Sequence, residues 1–212
     1  MDRKTEKFTM TGMLCALAYI MTAVGRIPIV LFLKYDPKDI VIALGGFIGG
    51  PSTSFTIAVI VSFAEMLTIS ENGILGLIMN VISSCSFACT AAFIYKKKHT
   101  PSGAAAGVLC GWGCMVPVML LWNYFIAPIY MGYPREAVAE LLLPAFLPFN
   151  LIKGGLNAAF AMLLYKPVFM VLQRFYLTEA ESPVKKPLIN AGIMMFIIIL
   201  IVITYIFLKV IL

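Results

Sequence analysis

Asn150, Lys153 and Asn157 stand three and four residues apart in "LPFNLIKGGLNAAFAMLLYK" (147–166), among leucine, alanine and phenylalanine. On a helix this spacing puts all three on one face. An amide offers both a donor and an acceptor, and an ammonium group offers donors only. Such a face is equipped to hydrogen-bond the polar edge of a flat solute. A lysine at membrane depth is costly and faces a protein interior or a water-filled cavity, and Glu65 meets the same criterion. Asn80 lies early in another apolar run, and Asn123 ends the next, in "LLWNYFIAP" beside Trp122, Tyr124 and Phe125. Structural alternatives stand beside these roles. Asn80 and Asn157 would also serve as interhelical glue, and Glu65 would reach the interface from near its helix end. Trp122, Tyr124, Tyr130 and Tyr133 would form an interfacial aromatic belt.

Other chemistries lack their parts. "GGFIGGPS" (45–52) approaches a phosphate-binding loop but has proline where the lysine should stand, which removes both the charge and a backbone donor. The one histidine, His99, sits in the basic stretch "YKKKH", and no paired intramembrane carboxylates accompany it. Neither a zinc hydrolase nor a histidine-based nucleophile can be assembled, so no enzyme and no cofactor are expected. Cys15, Cys85, Cys89, Cys110 and Cys114 lie inside apolar runs and read as small packing residues rather than metal ligands.

The elements that must position the polar face are membrane helices. Of 212 residues, 61% are hydrophobic and 12% charged, against about half and a quarter in soluble domains. Apolar segments cover 8–25, 39–50, 53–69, 73–95, 103–126, 144–172 and 188–211. The second and third are one run cut by the Gly-Gly-Pro-Ser turn signal at 49–52. The second is too short to cross alone, so other helices should cover its ends. The predicted fold is an all-α polytopic membrane protein: a six-helix transmembrane bundle (1–172), a cytoplasmic linker (173–187) and an additional C-terminal hydrophobic helix (188–212). The first segment is expected to be a retained span. The +6 net charge falls in short clusters between apolar runs, which fits the positive-inside rule and not nucleic-acid binding. It predicts a cytoplasmic N-terminus in the plasma membrane. Arg26, Lys34 and Lys38 then count as outer-loop charges, in a first loop (25–39) suited to fold back over the bundle. A second outer loop spans 127–144.

The residues alone define a small, partly aromatic solute entering from outside: a flat heterocycle with C=O and N–H groups, or a carboxylated vitamin paired to Lys153. "LKYDPKDIVIALGGFIGGP" (33–51), "GILGLIMNVISS" (73–84), "NYFIAPIY" (123–130) and "LPFNLIKGGLNAAF" (147–160) go further. Over residues 8–172 they resemble the riboflavin-binding substrate component of energy-coupling factor (ECF) vitamin transporters.

That resemblance implies capture of riboflavin from outside. Asn150, Lys153 and Asn123 would contact the flavin ring, with the 32–36 stretch, including Leu33, Tyr35 and Asp36, at the ribityl tail. It implies partners too: a transmembrane coupling subunit and two ATPase subunits, docked through small residues of the first helix, where Gly12, Ala16 and Ala18 lie. The seventh apolar run departs from the family pattern. Rival readings keep the fold with folate, pantothenate or a flavin nucleotide as solute, or make the chain a membrane scaffold in which Lys153 pairs with Glu65.

Overall fold

The computed structural model describes residues 3–30, 33–70 and 72–176. Helix α1 (Arg3–Gly25) leads into a hairpin of β1 (Ile27–Val30) and β2 (Leu33–Tyr35), paired antiparallel with Ile27 opposite Tyr35. There follow α2 (Lys38–Gly49), α3 (Pro51–Thr68), α4 (Gly73–Ser84) and α5 (Thr90–Lys97), the last two joined by a π-helical turn, Cys85–Cys89. Then come α6 (Pro101–Met131), α7 (Arg135–Leu141) and α8 (Leu147–Tyr176), with a second π-helical turn, Leu142–Phe146, between α7 and α8. Counting through the π turns, six helical units build the bundle. Helix α8 runs to Tyr176, four residues into the linker expected over 173–187; the rest of that linker and the seventh helix lie outside the described residues.

Among the described residues, five units are long and apolar enough to cross a membrane: Thr5–Gly25, Pro51–Thr68, Gly73–Lys97, Pro101–Ile129 and Arg135–Met170. The sixth, α2, is twelve residues long and buried at every position from Lys38 to Phe47, so neighbouring helices cover it as its length requires. Gly50, at φ 89°, makes the sharp reversal into α3, and its backbone N–H caps the Gly46 carbonyl. Pro51 opens α3, where a missing N–H is harmless.

The first loop folds as the hairpin, and the structure corrects the expectation about the other. The second, expected over 127–144, is almost entirely helical: α6 runs to Met131, left-handed Gly132 ends it, and α7 starts at Arg135. Pro128 is accommodated inside α6 and Pro144 within the π-helical turn, where the ladder is already locally reorganised.

Helices α5 and α6 pack closely because α6 offers glycine at the contact. A Cβ on Gly107 would lie 2.6 Å from the Ala91 carbonyl oxygen, and one on Gly111 would strike the Phe87 carbonyl. Small residues four apart permit this backbone approach. At the far end of α2, Phe47, Tyr95, Tyr165 and Phe169 form one aromatic cluster, with the Tyr95 and Tyr165 hydroxyls 2.9 Å apart.

Candidate ligand-binding site

The sequence places two charges, Lys38 and Asp39, in the first turn of the buried helix α2, and both are sealed from solvent. Each must find its counter-charge inside the protein. Lys38 Nζ donates to both oxygens of Glu65 in α3, at 2.7 and 2.6 Å. Asp39 accepts from Ser84 Oγ at 2.5 Å and Asn157 Nδ2 at 3.2 Å, with Lys153 Nζ 3.7 Å away. The α2 N-terminus adds a favourable dipole end for this carboxylate.

The hairpin is rooted in the same network. Arg26, between α1 and β1, grips Asp36 with Nε and Nη2 at 2.7 and 3.3 Å, and its Nη2 lies 3.6 Å from Glu65. The Tyr35 hydroxyl donates to Asn157 Oδ1 at 2.9 Å. Burial pushes the Asp36 carboxyl up, but Lys38, Arg26 and Lys153 outweigh it and hold the group below its usual 3.8.

Over this network opens a cavity of about 110 Å³. Five of the sequence-predicted site residues line it: Asp36 beside the hairpin, Asn80 on α4, Asn123 on α6, and Asn150 and Lys153 on α8. All five are buried. Lys153 Nζ reaches Ser83 Oγ at a long 3.3 Å, which leaves ammonium donors for a ligand. The Asn123 amide makes no hydrogen bond among the described residues. Asn150 donates Nδ2 to the Phe146 carbonyl at 2.8 Å. Met79, Met119 and Phe149 supply apolar wall, and Arg26, Lys34, Ser70 and Asn72 line it as well.

The remaining predicted residues lie elsewhere. Glu65 is fully buried and lies outside the lining, its oxygens taken by Lys38, Asn80 and the Thr22 hydroxyl. Its partner is Lys38, so the Lys153–Glu65 pairing of the scaffold reading is not the one that forms. Tyr35 is turned into the core by its bond to Asn157 and also lies outside the lining. Leu33 opens β2, but its side chain lies outside the described residues. Gly12 and Ala16 are exposed on α1, whereas Ala18 is buried in the core and so faces away from them. Arg26 and Lys38, counted as outer-loop charges, belong to the buried network. Their position at the edge of apolar runs was the available signal.

Comparison with known proteins agrees with this architecture. The family described as ECF transporter, substrate-specific component, matches residues 6–165. The riboflavin transporter RibU of Staphylococcus aureus (strain TCH60) is 26% identical over 181 residues, covering 81% of this chain and 95% of that one. The riboflavin transporter FmnP of Bacillus subtilis (strain 168) is 26% identical over 164 residues, covering 71% and 85%. The solved structure of the S component of a bacterial ECF transporter superposes with a TM-score of 0.68 at 26% identity, covering 81% of this chain and 100% of that one. A buried polar cavity in a six-unit helical bundle is thus the setting of a substrate-specific component, and the chain belongs to that family of ECF transporters.

Proposed function

We propose that the chain captures riboflavin for an ECF vitamin importer, taking it from the outer side through the hairpin-flanked cavity. The observation that carries this reading is the convergence of Asn123, Asn150 and Lys153, from two helices, on one buried cavity. Amide and ammonium groups there match the alternating C=O and N–H groups of a flavin edge, and methionine and phenylalanine match its rings. The names of the relatives support the same solute. A cavity of about 110 Å³ has room for no more than several water molecules, so seating a three-ring solute requires the lining side chains to part.

In this reading the chain sits in the plasma membrane with a cytoplasmic N-terminus. It delivers its ligand with a transmembrane coupling subunit and two ATPase subunits, against which the exposed Gly12 and Ala16 of α1 would dock. The test is the absorbance spectrum of protein purified from cells grown in ordinary medium. Copurified flavin gives the two visible-range bands of an oxidised isoalloxazine. A colourless protein that also fails to quench added riboflavin would overturn the solute. A flavin nucleotide is a second reading, favoured by three cationic side chains in the lining, Arg26, Lys34 and Lys153, against Asp36. Competition between riboflavin and its phosphate separates the two.

A further inference from the structure

Two amides in the cavity have their orientation fixed from behind. Asn80 donates Nδ2 to Glu65 Oε2 at 2.9 Å, and Asn150 donates Nδ2 to the Phe146 carbonyl at 2.8 Å. A carboxylate and a carbonyl only accept. Each amide must therefore turn its NH2 group to its partner, which leaves its carbonyl oxygen for the cavity.

The two clamps differ in origin. Asn150 uses the backbone of its own helical unit, which is present whatever the side chains are. Asn80 uses a buried carboxylate held by dedicated partners: Lys38 at 2.6 and 2.7 Å and the Thr22 hydroxyl at 3.2 Å. The Lys38 ammonium donates to both Glu65 oxygens, so the pair carries its counter-charge within the protein. Glu65 itself does not line the cavity, and of the two lining residues it touches, Asn80 takes a 2.9 Å hydrogen bond while Arg26 stands 3.6 Å off and is turned to Asp36.

We infer that Glu65 is a positioning residue: acting through Asn80, it fixes a hydrogen-bond acceptor in the cavity wall and makes an N–H group on the ligand a condition of recognition. An amide free to turn would present NH2 or C=O as needed and discriminate little. A clamped one leaves a buried acceptor unpaired when the ligand lacks an N–H, and that costs more than the bond itself returns. The inference rests on the riboflavin reading, in which the imide N–H of the flavin ring is the group that Asn80 would meet.

The experiment measures dissociation constants for riboflavin and N3-methylriboflavin by flavin fluorescence quenching, in the full chain and two variants. The parent protein should prefer riboflavin by at least about tenfold. Glu65→Gln gives the clamp a donor as well as an acceptor, so Asn80 can turn. The preference should then fall to within about threefold. Asn80→Leu, similar in volume, should lose the preference equally while leaving the Lys38–Glu65 pair in place, and it decides the matter if Glu65→Gln does not fold. The bulk of the methyl group is the same in every protein, so a preference that survives in a folded variant overturns the inference. A parent protein that binds both flavins equally also overturns it, with the riboflavin reading intact. One that binds neither brings down both.

Discussion

Lys38 Nζ lies 2.6 and 2.7 Å from the two oxygens of Glu65, and neither side chain meets solvent. The pair joins α2 to α3 where both approach the hairpin. Removing one member strands the other charge in a low-dielectric interior, at a cost of about 3–5 kcal/mol, whereas replacing both by apolar groups is often near neutral. Lys38→Met alone should therefore lower the thermal midpoint strongly. Lys38→Met with Glu65→Met should recover a large part of the loss, although Asn80 then lacks its acceptor. Size-exclusion profiles after heating in detergent would read this, and a double variant weaker than either single one would contradict it.

Lys153 adds an effect on the ligand to its part in balancing the buried Asp39. Its ammonium has one long hydrogen bond and one ion pair at 3.7 Å, so much of its donor capacity faces the cavity. Lys153→Met should weaken riboflavin binding by at least about tenfold, or roughly 1.4 kcal/mol. Unchanged affinity by fluorescence quenching would remove Lys153 from the site.

Asp36 gives a pH window. Burial raises its pKa, but Lys38, Arg26 and Lys153 together hold it below 3.8. The unfolded chain therefore takes up the proton first as pH falls. The stability owed to the ionised carboxylate is complete above 3.8 and fades only as pH drops through the lower folded value. The gap in unfolding temperature between the parent and Asp36→Asn should stay constant from neutral pH down to 3.8 and narrow below it. A gap that closes well above 3.8 would show that the Arg26–Asp36 grip is not what holds the hairpin.

Glycine in α6 should matter by position. A side chain at Gly111 meets the Phe87 carbonyl, which is backbone and cannot step aside, while one at Gly113 meets nothing within 4 Å. Gly111→Val should cost at least about 1–3 kcal/mol by overpacking, and Gly113→Val far less. Equal thermal midpoints for the two variants would argue against the close packing of the Cys85–Cys89 π-helical turn on α6.

Much of this was written locally. Spacing alone put Asn150 and Lys153 on one face, and the Gly-Pro break separated α2 from α3. The ion pairs were not local. Lys38 meets Glu65 27 residues away, and no pattern in either segment names the other. Hydropathy also marks where an apolar run begins, so Lys38 read as a loop charge although it is the first residue of a helix with no lipid-facing side. The cost of a carboxylate in a membrane marks Glu65 in the sequence. Its exclusion from the cavity follows from partners that only the assembled bundle brings together.

The ion-paired cluster has an electrical consequence. Arg26, Lys38 and Lys153 face Asp36, Asp39 and Glu65, three positive charges against three negative, so the cluster is neutral as a body. A single unbalanced charge crossing the bilayer exchanges about 2.3 kcal/mol with the field for every 100 mV. A neutral cluster exchanges almost none. Membrane voltage can therefore neither drive nor resist a displacement of this cluster along the membrane normal, and riboflavin binding to protein in liposomes should be the same with and without an imposed potential.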